Sequence, residues 1–148
     1  MNSSIPFEDF GGRGSILHFA HANAYPPATY GQLLTGLTDQ FTVLAMHHRP
    51  LWPGSQPKEM NDWLDLAADM IDFLDQRGQR QVIGVGHSLG AITTMMAAHA
   101  RPDLFRALVL VEPVFLLPAV LDYFRQQPDS GQPYETPLVD IALRRRNK

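Results

Sequence analysis

The run Gly86-His87-Ser88-Leu89-Gly90 sets one serine between two glycines, each two residues away. A hydroxyl is a weak nucleophile until its proton is taken and the backbone holds it open to attack. Glycines at that spacing let a chain bend sharply and carry the hydroxyl to the tip of the bend. Alone the pattern is modest, expected about 0.05 times by chance in a chain this long. Its flanks strengthen it. The preceding Gln81-Val82-Ile83-Gly84-Val85-Gly86-His87 is almost wholly apolar and reads as a central strand buried on both faces. The following stretch, 89–100, is small and apolar nearly all round, a buried helix ended by Pro102. The bland alternative is a glycine-rich turn holding an idle serine.

An attacking serine also needs a base and a place for the oxyanion. The N–H of Leu89 would sit at the positive end of the buried helix and supply one donor. His21-Ala22-Asn23-Ala24, directly after the first clear strand, is the natural source of a second. Histidine is the usual base, and the chain has six. His87 directly precedes the serine, so its side chain should point elsewhere, and His21 is expected to brace its loop. His18 and His99 fall in a strand and a helix, where packing or surface roles suffice. His47 and His48 are adjacent and lack an evident third ligand, so they read as loop histidines and no metal is expected.

The elements that must hold these residues alternate between short apolar runs and amphipathic stretches, which predicts a parallel α/β sheet. Strands are expected at 15–20, 41–46, 81–87 and 107–111. Pro26 and Pro27 suit a helix entry, with Tyr30, Leu33, Leu34 and Leu37 at helical spacing. The clearest helix puts Trp63, Ala67, Met70, Ile71 and Leu74 on one stripe and Asp65, Asp69, Asp72 and Asp75 largely off it. Asn61 or Asp62 would cap its start and Gly78 its end. Met95 and Met96 read as core. From Pro113 onward the pattern changes, with an apolar stretch at 114–124, a polar proline-rich one at 126–137 and a short helical piece at 138–146.

With 148 residues, 45% hydrophobic and 18% charged, the chain is sized for one globular domain. A net charge of −3 gives no case for nucleic acid or anionic membrane, and the Arg144-Arg145-Arg146 cluster reads as a solvated end. Without cysteine there are no disulfides or thiolate nucleophiles. No secretory leader and no run of the ~18–20 apolar residues of a spanning helix is evident, so a cytoplasmic setting is expected. No cofactor is called for.

Taken together, residues 16–112 resemble the nucleophile-bearing part of an α/β-hydrolase. His21-Ala22-Asn23 is similar to the family's His-Gly-x oxyanion loop, with Ala22 in the usual glycine position. Arg49 after the second strand and Arg101-Pro102 before the fourth also fit. The resemblance implies a three-layer sandwich with a partial, mostly parallel sheet whose four strands run second, first, third, fourth. It implies Ser88 as nucleophile and the N–H groups of Asn23 and Leu89 as oxyanion donors. Ala22, His87 and Phe115 would border a small-molecule acyl substrate. Residues 1–112 would be core and 113–148 the start of a cap. The early strands of the usual fold would be absent or compressed into 5–10, leaving one sheet edge open.

Two family roles stay open. Glu112 occupies the place where a minority of members, haloalkane dehalogenases among them, carry the triad acid; its other reading is a strand-end carboxylate. Dehalogenase chemistry itself is excluded by motif, since it uses an Asp nucleophile followed by Trp, where this chain has Ser88 and Leu89. The family's catalytic histidine follows the last strand, and no histidine occurs after His99. The expectation is therefore a truncated serine hydrolase of ester or related acyl substrates. The alternatives are a non-catalytic relative that binds a ligand or partner, and an acyltransferase with the same bend. The 148-residue polypeptide by itself should show no more than trace hydrolysis of p-nitrophenyl esters; robust turnover would mean that it carries its own base.

Overall fold

The computed structural model describes residues 5–56, 60 and 62–115. Five strands form: β1 (Phe7–Gly12), β2 (Ser15–Ala20), β3 (Phe41–Met46), β4 (Val82–His87) and β5 (Phe105–Val111). Between them lie helices α1 (Gly31–Thr35), α2 (Trp63–Gln76) and α3 (Leu89–Ala100). The sheet order is β1-β3-β2-β4-β5. Within it β3, β2, β4 and β5 are mutually parallel, in the order expected from the family resemblance. The segment expected to be missing or compressed is instead a full edge strand. β1 runs antiparallel along β3, from Phe7 opposite Met46 to Gly12 opposite Thr42. An irregularity between Asp9 and Gly11 bends it, and the Asp9 carboxylate accepts the Gly11 N–H at 2.8 Å.

Alternation along β2 and β3 divides the core between the two faces of the sheet. Ala20, Leu44 and Met46 pack with Met70, Phe73 and Leu74 of α2 and Ala97 of α3. Leu17, Phe19, Val43 and Ala45 turn the other way, onto Leu34 of α1, with Tyr30 and Val85 alongside. The first helix is shorter than its apolar spacing predicts. A 3₁₀ turn, Pro27–Tyr30, precedes α1, and Leu33 is 57% exposed. Gly31 and Gly36 bracket that single turn of helix, and glycine carries the largest backbone-entropy cost of any residue in a helix.

The long helix α2 starts and stops as its sequence predicts. Asp62 caps it by accepting the Leu64 N–H at 2.7 Å, and Gly78 follows its end at φ +63°. Its acidic face differs from the expected pattern. Asp69 is buried, because the buried side of α2 faces Arg49 just beyond β3 as well as the apolar core. The guanidinium makes a two-pronged contact with the carboxylate, Nε to Oδ2 at 2.9 Å and Nη2 to Oδ1 at 2.5 Å. Burial raises the Asp69 carboxyl above its ordinary value, while Arg49 pulls it down. At the other end of α2, Arg101 bridges Asp75 and Asp103 at 2.9 and 2.8 Å, tying α2 to the end of α3.

On the β5 side the sheet is bare among the described residues. Val109 and Val111 are 50% and 45% exposed, and Leu108 is 38% exposed. No helix among the described residues is long and apolar enough to cross a membrane. Arg49→Ala should cost about 2 kcal/mol in urea unfolding. That is less than the loss for a fully buried pair, because the Arg49 side chain is 28% exposed.

Candidate active site

At the end of β4 the chain reverses through one residue. Ser88 has φ 54° and ψ −114°, and α3 begins at the next residue. Such a backbone costs a non-glycine residue on the order of 1–3 kcal/mol, so the surrounding structure must hold it. Part of that hold is a hydrogen bond from the Ser88 N–H to Val111 O, at 2.9 Å. The rest is close packing. A Cβ on Gly86 would lie 2.6 Å from the Ala91 Cα, and one on Gly90 would lie 2.6 Å from the His21 carbonyl oxygen. Both glycines are therefore required by contact, and α3 is pressed against the end of β2. Within α3, the hydroxyls of Thr93 and Thr94 turn inward and donate to Gly90 O, at 3.1 and 2.7 Å.

This packing brings the His21–Ala24 loop to the first turn of α3. The Tyr25 N–H donates to Ala22 O at 3.2 Å and closes a turn around Asn23 and Ala24, with Ala24 at φ +63°. Asn23 is half-buried, whereas Ala22 and Ala24 are buried. Leu89, as the first helical residue, has no carbonyl one turn back for its N–H. The Ser88 hydroxyl makes no hydrogen bond among the described residues. A serine in this setting has an unengaged hydroxyl at a helix N-terminus, beside a backbone turn at the tip of the neighbouring strand.

Two histidines grip the loop from the β3 side. The His48 N–H donates to His21 Nε2 at 2.9 Å, so the His21 proton sits on Nδ1 and is given to Ala22 O at 2.7 Å. In return His48 Nε2 donates to His21 O at 3.0 Å, with the two rings 4.2 Å apart. His48 is thus no surface loop histidine, because its backbone pairing turns its ring into the core. His47 points the other way and meets Glu8 at 3.3 Å. Burial, then the neighbouring His48, holds His21 well below the ordinary histidine value. Burial likewise lowers His48 to about 4. His18, packed on Phe73 with neither ring nitrogen partnered among the described residues, is lowered to about 3, again chiefly by burial.

On the β4 side, Tyr30 joins the loop to the bend. Its hydroxyl accepts the Ala22 N–H at 3.2 Å and lies 2.8 Å from His87 Nδ1. Sequence reasoning placed Tyr30 only on an apolar stripe; the signal it could have used is a phenol among residues otherwise able only to pack. Every histidine is accounted for. His18 is in the core, His21 and His48 hold each other, His47 meets Glu8, His87 meets Tyr30, and His99 is exposed near the far end of α3. None therefore stands as a base for Ser88 among the described residues.

Glu112 follows β5 at φ +45°, its side chain exposed and unbonded among the described residues. It adjoins Val111, which pairs with His87 and accepts the Ser88 N–H. Phe115 is 61% exposed. The expected cap, apart from 113–115, lies outside the described residues.

The sequence profile of the Alpha/beta hydrolase family matches residues 17–147, and the chain belongs to that family. A 2-(acetamidomethylene)succinate hydrolase of Mesorhizobium japonicum is 36% identical over 104 residues, 68% of this chain and 36% of that protein. Lipase LipV of Mycobacterium tuberculosis is 31% identical over 134 residues, 78% of this chain and 51% of that protein. The crystal structure of E-2-(acetamidomethylene)succinate hydrolase superposes with a TM-score of 0.67 at 28% identity, over 79% of this chain and 44% of that one. These relatives are hydrolases. The chain spans between about a third and a half of the length of the two curated relatives.

The buried histidines make stability pH-dependent with a definite sign. They are neutral when folded and protonate near 6.5 when unfolded, so the unfolded chain binds more protons below that value. Their stabilisation is complete above about pH 6.5 and is lost as pH falls toward 4, on the order of 1 kcal/mol per pH unit for each. Thermal melts between pH 7.5 and 4.5 should show this decline. His18→Leu should flatten it with little cost at pH 7.5, since no hydrogen bond of His18 is lost.

Proposed function

We propose that this chain is the nucleophile-bearing part of a serine hydrolase of ester or related acyl substrates. The observation that carries the proposal is Ser88, held at φ 54° between a buried strand and a buried helix with its hydroxyl unengaged among the described residues. Ser88 Oγ attacks the substrate carbonyl carbon as its proton passes to a base outside the described residues. The oxyanion that forms is met by the N–H groups of Leu89 and Asn23, donors of a kind worth about 3 kcal/mol each in the transition state. Collapse expels the alcohol or amine, and water then releases the acyl group from Ser88. Glu112 is the candidate acid, at the tip of the strand beside the bend. Ala22, His87 and Phe115 border the substrate.

The named relatives support an acyl-transfer chemistry, one hydrolysing 2-(acetamidomethylene)succinate and the other a lipase. A full-length polypeptide containing this chain should be labelled by a fluorophosphonate at Ser88. Ser88→Ala should abolish labelling and lower ester turnover at least about a thousandfold, with thermal stability nearly unchanged. Labelling elsewhere, or turnover that survives the substitution, would refute the serine mechanism and favour a relative that only binds.

A further inference from the structure

The loop that carries Asn23 and the bend that carries Ser88 belong to different strands, and one phenol hydroxyl spans them. Tyr30 ends the 3₁₀ turn before α1, with its ring 4.7 Å from that of Phe19. The amide of Ala22 can only donate, so at 3.2 Å it takes a lone pair of the Tyr30 oxygen. The Tyr30 oxygen keeps its proton and a second lone pair, and it shares a hydrogen bond with His87 Nδ1, 2.8 Å away. Burial raises Tyr30 above the ordinary tyrosine value, which keeps that proton in place at neutral pH.

We propose that Tyr30 is a positioning residue for the reaction: its hydroxyl sets the spacing between the Asn23 amide and the Ser88 hydroxyl. The inference rests on the serine-hydrolase reading above. Ala22 directly precedes Asn23, and His87 directly precedes Ser88, so each end of the Tyr30 bridge is one peptide from a reacting group. On its other side the loop is held by the His21–His48 pair, and Tyr30 adds a hydrogen-bonded bridge from Ala22 to His87 at the end of β4. An oxyanion donor counts most when the tetrahedral centre forms, so a small displacement of the Asn23 amide falls mainly on kcat and much less on KM.

Tyr30→Phe removes the hydroxyl and keeps the ring against Phe19. In the full-length polypeptide it should lower kcat, and the rate of fluorophosphonate labelling, between about tenfold and a hundredfold. KM should change less than about twofold, and the melting temperature by only a few degrees. Nitrogen-15 spectra of the histidine rings should show the His87 Nδ1 signal move when its hydrogen-bond partner is removed. A lowered melting temperature with normal kcat, a change confined to KM, or an unaltered His87 Nδ1 signal would each overturn the positioning role. Ser88→Ala measured alongside separates the two readings. If it abolishes turnover while Tyr30→Phe is as active as the parent, only the role of Tyr30 falls. If turnover survives Ser88→Ala, the serine mechanism and the role of Tyr30 fall together.

Discussion

The first turn of α3 touches the end of β2 backbone to backbone, and the rest of the site follows from that contact. Ser88 can hold a positive φ only because Gly86 and Gly90 leave no side chain between β4, α3 and the His21 carbonyl. A methyl group at either glycine would force the layers apart and let the bend relax. The strain at Ser88 is thus balanced by packing along two strands and a helix. It cannot be discharged locally, because the Ser88 N–H is also bound to β5 through Val111. The same closeness brings the turn around Asn23 beside the helix N-terminus.

Around that contact the polar groups are arranged by burial. His18, His21 and His48 lie in a part of the core where a charged ring would be unsolvated, so they remain neutral, and His21 and His48 act as fixed donors and acceptors. Neutrality is what makes the His21–His48 pair possible. A protonated His21 could not accept the His48 N–H, and the loop would lose its hold on β3. Each ion pair keeps at least one partner near the periphery. Arg49 reaches Asp69 from a partly exposed position, and Arg101 joins Asp75 to Asp103 where water screens all three.

The two flanks of the sheet contrast. On the β3 side, β1 adds an antiparallel strand whose bulge bends the edge. At β5 the valines are half-exposed, and among the described residues this edge strand has no neighbour on its outer side. Ser88 and Glu112 lie toward this flank, at the tips of β4 and β5, where open parallel sheets place their sites. The proposed chemistry therefore sits at the margin of the packed core.

Local patterns in the sequence determined a great deal. The four parallel strands, the capped α2, the buried α3 and the bend at Ser88 are all written in runs of a few residues, because apolar periodicity, caps and glycine spacing act over one or two turns of chain. Their order in the sheet followed once the bend and the His21 loop had indicated the family. Pairings between distant segments were decided only by the tertiary structure. Asp69 turns inward because Arg49, twenty residues earlier, waits there. His48 is buried because its amide finds the His21 ring, and Tyr30 becomes a bridge because two other strands bring Ala22 and His87 within reach. A side chain's partner across the fold leaves no trace in its own neighbourhood, since burial and hydrogen bonding are settled by what the other elements deliver to that point in space.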